Sequence, residues 1–139
     1  MNNLNDQVHQ SSTNVWIVED HPQTRQTLFN TVQAINNYQC TLAVESCEEA
    51  FKALKKTEPP HIILLDIHLP GMSGLEGLNK FKKQIPDTHV IFMTVNDDLE
   101  AIVYAMNNGA SGYYWKGANH YNLEEMMADV LNGGCPMDA

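Results

Sequence analysis

Residues 62–78, IILLDIHLPGMSGLEGL, decide how the rest of the chain is read. The stretch opens with four consecutive apolar residues, ends that run on an acid at Asp66, turns at Pro70-Gly71, and continues with helix-spaced Leu75 and Leu78. An uninterrupted apolar run of this length predicts a strand covered on both faces, as in a parallel sheet. The same grammar recurs on either side. VWIV at 15–18 runs into Glu19-Asp20, and VIFM at 90–93 runs into Thr94. Two weaker runs, at 41–44 and 112–115, complete a set of five, the third and fourth being read over 61–65 and 89–93.

Helix-period segments separate these runs. Leu28, Val32 and Ile35 share one face, and Leu99, Ile102, Val103 and Met106 form an amphipathic stripe. Leu123, Met126, Met127, Val130 and Leu131 form another. Ala50, Phe51 and Leu54 follow Ser46-Cys47-Glu48-Glu49, which reads as a capping box with Ser46 at the N-cap. A further helix is expected over 73–84, with Leu75, Leu78 and Phe81 apolar. Pro59-Pro60, Pro70-Gly71, Pro86 and the Gly109/Gly112 pair punctuate the turns. Five strand–helix units predict an α/β fold, a doubly wound five-stranded parallel sheet in a three-layer sandwich, because right-handed crossovers put helices on both faces.

Composition bounds the function. The 139 residues suit one domain, with 43% hydrophobic and 18% charged residues. Eight Lys+Arg against 17 Asp+Glu leave a net charge of -9, and Arg25 is the one arginine. So acidic a chain lacks the basic face that a nucleic-acid backbone or an anionic membrane requires. No apolar run nears the ~20 residues of a bilayer span, and the N-terminus lacks a signal-peptide layout. Three cysteines without a CxxC pair fit a reducing cytoplasm. Residues 1–13, rich in Asn, Gln and Ser, read as a flexible leader.

In open parallel sheets the working residues collect at the carboxyl ends of the strands. Here those ends are Glu19-Asp20, Asp66, Thr94 and Lys116. Three neighbouring carboxylates resist joint ionisation unless a cation compensates, and a hard divalent ion with oxygen ligands suits them. With an ammonium at Lys116 and a hydroxyl at Thr94, the set has the composition of a phosphoryl-transfer site around a carboxylate nucleophile.

The motifs VWIVEDHPQTR, IILLDIHLPGMSGLEGL, VIFMTVNDD and NNGASGYYWKG resemble those of the receiver domains of bacterial two-component response regulators, a flavodoxin-like (βα)5 family. The resemblance runs from about residue 15 to 134. It implies that Asp66 is the phosphoacceptor and that Glu19, Asp20, Asp66 and the His68 backbone carbonyl hold Mg²⁺, with Mn²⁺ as an alternative ion. It makes Thr94 and Lys116 the hydroxyl and the lysine of the site, and Tyr113 and Thr94 the switch pair. His68 and Asn96, two positions past Asp66 and Thr94, fall where family members tune the lifetime of the phosphorylated state. An imidazole at His68 is able to shield the phosphoryl group, pair with it or orient water, and these three roles stay open. Gly117 follows Lys116 where many receivers have proline, so a cis bond, costing about 2.5–4 kcal/mol at a non-proline residue, is not expected there.

Within the family, DIHLPGMSGLE and the closing NGGCPM are similar to the NarL/LuxR-type (FixJ-like) subgroup. That implies a receiver over 14–132 and, over 133–139, the start of a linker to a DNA-binding output domain absent from this chain. The implied partners are a sensor histidine kinase and small phosphodonors, with DNA reached only through the output domain. Homodimerisation on phosphorylation is the remaining partner. Six acids between 97 and 131, facing Lys116 alone, place any such dimer on a face other than that of the fourth and fifth helices. The expected role is a cytoplasmic phosphoacceptor rather than a turnover enzyme. A haloacid-dehalogenase-type phosphohydrolase and a free-standing receiver are the alternatives; the first wants an acid where His68 stands.

Overall fold

In the computed structural model, residues 12–94, 99–115 and 122–134 are described. They form β1 (Thr13–Val18), α1 (Pro22–Gln33), β2 (Tyr38–Val44), α2 (Cys47–Leu54), β3 (Ile62–Asp66), α3 (Gly74–Gln84), β4 (His89–Thr94), α4 (Leu99–Asn107), β5 (Gly112–Trp115) and α5 (Leu123–Leu131). The strands make one parallel sheet in the order β2-β1-β3-β4-β5. The α/β doubly wound architecture expected from the apolar runs is the one observed.

Alternation along the strands builds two cores. Trp16, Val18, Ile63, Leu65 and Phe92 face one way and meet Ala50, Leu78, Phe81, Ile102 and Ala105 from α2, α3 and α4. Val15, Ile17, Ile62, Leu64, Ile91 and Met93 face the other way and meet Leu28, Val32, Met126, Met127 and Val130 from α1 and α5. Both faces of β3 are therefore covered, and all five of its residues are buried. Burying side chains of this size stabilises each by roughly 1.5–3 kcal/mol relative to exposure.

The elements depart from expectation where local hydrogen bonds or packing overrule periodicity. β1 starts at Thr13 rather than at Val15, because the Thr13 N–H donates to the Asn37 carbonyl (2.7 Å) and Thr13 pairs with Tyr38. Ser46 caps α2 by accepting the Glu49 N–H (3.2 Å), half of the expected box. Complete boxes close at Ser73/Glu76 and Asn122/Glu125, so Ser73 is the cap of α3 and not its first helical residue. Ile35 lies past the end of α1. The α4 stripe is rotated from the one expected. Ala101, Ile102 and Ala105 are buried, whereas Leu99 is 68% exposed and Val103 50%. Ala101, Ile102 and Ala105 pack in the core with Met106 against it, and Leu99 and Val103 point outward. Leu131, expected on the buried stripe of α5, is also exposed.

Candidate functional site

The strand order reverses at β1, whose neighbours are β2 on one side and β3 on the other. A crevice opens beyond the carboxyl ends of strands at such a point. Val18 of β1 stands in register with Leu65 of β3, so the residues that follow them, Glu19 just past β1 and Asp66 at the end of β3, stand side by side. Carboxylate oxygens of Glu19, Asp20 and Asp66 lie within 4.8 Å of one another. Glu19 and Asp66 are buried and Asp20 is exposed, so the cluster is open to solvent on one side. Hard oxygen donors at this spacing are what a small divalent ion takes up, with water completing its shell. The three acids brought together are those singled out in the sequence.

The loop after β1 is held by local bonds. The Glu19 N–H donates to the Val44 carbonyl (2.9 Å), and Glu19 Oε2 accepts the His21 N–H (3.1 Å). From the first turns of α1, Arg25 Nη1 donates to the Glu19 carbonyl at 2.9 Å and to that of Asp20 at 3.5 Å. Sequence reading missed Arg25 as a member of the site. Its being the single arginine, within the motif that follows the acidic pair, was the available signal.

The Asp66 side of the site is packed from below by α3. The Gly74 N–H donates to the Ile67 carbonyl (2.9 Å), closing the loop 67–74 on itself. A Cβ at Gly74 would lie 2.1 Å from the Asp66 carbonyl oxygen, so only glycine lets the helix start this close to the acceptor. Gly71, with φ at +72°, turns the same loop through the left-handed region. The His68 side chain is exposed.

Thr94 ends β4 and is 1% exposed, in register with Trp115. Tyr113 is also 1% exposed and pairs with Phe92 inside the core that holds α4. The expected switch pair thus sits on adjacent strands, with the aromatic ring inside. Lys116 and Asn96 lie outside the described residues, as does the Lys116-Gly117 peptide.

Comparison with known proteins agrees with this geometry. The response regulator receiver domain family matches residues 15–128. The transcriptional regulatory protein DegU of Brevibacillus brevis is 27% identical over 131 residues, 94% of this chain and 55% of the relative. The DNA-binding transcriptional regulator NtrC of Proteus hauseri is 36% identical over 115 residues, 83% of this chain and 23% of the relative. A crystal structure of a LuxR-family two-component response regulator from Aurantimonas superposes with a TM-score of 0.84 at 24% identity, covering 91% of this chain and 90% of that one. The chain thus spans about half the length of DegU and less of NtrC. Among the described residues, no helix is long and apolar enough to cross a membrane.

Proposed function

The chain belongs to the response regulator receiver domain family, and from that premise we propose that it accepts a phosphoryl group on Asp66 and relays the change to an output domain. The observation that carries this reading is the meeting of Glu19, Asp20 and Asp66 at the ends of two adjacent strands. Glu19, Asp20, Asp66 and the His68 carbonyl would hold Mg²⁺, which when bound would supply positive charge to the phosphoryl oxygens.

An Asp66 oxygen attacks the phosphorus of a kinase phosphohistidine. The O–P bond forms as the P–N bond breaks, and the histidine imidazole leaves. With a small donor such as acetyl phosphate, acetate leaves instead. Lys116 pairs with one phosphoryl oxygen, and the Thr94 hydroxyl donates to another. The modification adds about -1.5 to -2 charges at the rim. Thr94 moves toward that charge, Tyr113 takes the space it vacates, and the surface of α4, β5 and α5 is remodelled. One phosphoryl group is taken up per chain without multiple turnover. His68 and Asn96 govern how long it stays.

The receiver is read over 14–132 in a cytoplasmic protein, and the printed names and greater lengths of DegU and NtrC support a DNA-binding output domain in the whole protein. The segments DIHLPGMSGLE and NGGCPM are what support the NarL/LuxR-type subgroup. The test is incubation with Mg²⁺ and acetyl or carbamoyl phosphate followed by intact-mass spectrometry. One phosphoryl adduct is expected, and none on D66N. No adduct, or one that survives D66N, sinks the mechanism, and turnover of varied phosphate esters would favour a hydrolase.

A further inference from the structure

The loop that leaves Asp66 is tied to α2 as well as to its own helix. Glu48, in the first turn of α2, accepts the Met72 N–H on Oε2 at 2.9 Å, a bond between residues 24 apart in sequence. The same oxygen sits over Gly71, where an added Cβ would come within 2.6 Å of it. Next to Glu48, Cys47 is fully buried with its Sγ 3.9 Å from the Ser73 carbonyl oxygen, and a Cβ at Gly77 would lie 2.5 Å from that sulfur. Two consecutive residues of α2 therefore hold Gly71, Met72, Ser73 and Gly77, the apex of the loop and the start of α3. The other end of the loop is closed by the Gly74 N–H on Ile67. His68 lies between these two ties.

We propose that Glu48 is a positioning residue for the cation site, holding the 67–73 loop so that the His68 carbonyl faces the three carboxylates. The proposal rests on the reading of Asp66 as a metal-assisted phosphoacceptor. Glu48 itself is no ligand: it acts on backbone, through the Met72 N–H. The bond favours the ionised carboxylate, and together with the helix's own N–H and nearby Lys80 it holds Glu48 below the usual carboxylate range. The latch is therefore set at neutral pH. Groups that orient metal ligands from outside the ligand shell change metal affinity without touching the ion.

The experiment is calorimetric titration of the full chain with MgCl2, for the parent, E48A and E48Q. Glutamine keeps an acceptor oxygen for the Met72 N–H and alanine removes it. E48A is expected to weaken Mg²⁺ binding about tenfold and E48Q by less than about threefold, in the range of outer-shell substitutions. In acetyl phosphate assays the Mg²⁺ concentration giving half-maximal uptake should rise with E48A by the same factor, with the rate at saturating Mg²⁺ nearly unchanged. The latch is overturned if E48A binds Mg²⁺ like the parent, if E48Q is as weak as E48A, or if only the saturated rate falls. A parent chain that binds no Mg²⁺ and takes up no phosphoryl group would instead overturn the phosphoacceptor reading.

Discussion

The two rims of the sheet are built from the same strands and do opposite things with their polar groups. At the amino rim, polar groups are matched within the chain. The Asn14 N–H donates to His61 Nδ1 (2.9 Å), and the His61 N–H returns a bond to the Asn14 carbonyl (2.9 Å). The Thr88 hydroxyl donates to the Pro60 carbonyl (2.7 Å), Lys82 Nζ donates to the carbonyls of Pro86 and Thr88 (both 3.1 Å), and His89 bonds Ser111 Oγ (2.9 Å). At the carboxyl rim, three carboxylates of one sign are held within 4.8 Å. One rim closes the fold with complementary donor–acceptor pairs, the Lys82 ammonium among the donors. The other concentrates carboxylates, an arrangement that a bound cation favours. Function is placed where the strand ends bring three carboxylates together.

The largest effect separating the rims should come from Mg²⁺. At a concentration about 100 times its Kd, the ion should raise the unfolding free energy by about 2.7 kcal/mol, since it binds the folded chain and not the unfolded one. Denaturant melts with and without Mg²⁺ check this. D66N should lose most of the gain, and a transition indifferent to Mg²⁺ would break the contrast between the rims.

Next in size is T88V at the amino rim. Thr88 is 3% exposed and valine has nearly its shape, so the change leaves the Pro60 carbonyl without its donor. A loss of about 1–2 kcal/mol is expected in urea unfolding, with Mg²⁺ affinity unaltered. Altered Mg²⁺ affinity would mean that the rims are coupled.

The smallest effect concerns His89. Burial first, and Lys82 second, lower its pKa from 6.5. A histidine with a depressed folded pKa contributes stability that is present above 6.5 and is lost as pH falls from there toward the folded value. Stability measured across that window should decline on acidification, and H89Q should flatten the decline. An unchanged slope in H89Q would assign the acid sensitivity to other groups.

Much of this was legible in the chain itself. IILL and VIFM are buried on both sides, so their apolar continuity carried the parallel sheet without reference to anything distant. Asp66, Glu19, Asp20 and Thr94 were legible because a parallel strand delivers its last residue to the same rim as its neighbours. The α4 stripe misled because periodicity reports apolar residues and not which apolar residues the neighbouring helix leaves room for. Leu99 and Val103, read as part of the stripe, are exposed, whereas Ala101 and Ala105 are buried. Glu48 was invisible as a site residue, and Arg25 was signalled only by its being the single arginine, for a related reason. A side chain that grips backbone carbonyls or an N–H of another loop leaves no pattern in its own neighbourhood.

Continuous apolar runs, helical spacing and strand-end chemistry therefore determined the fold class and the acids of the site, since these follow from local sequence and from the direction of a parallel strand. Only the tertiary structure decided that β1 and β3 are adjacent, that the three carboxylates share one pocket, and that α2 clasps the loop beyond Asp66. Those facts depend on which strand pairs with which and how closely α2 and α3 approach at Gly77, and these are long-range choices made by the packing of both cores at once.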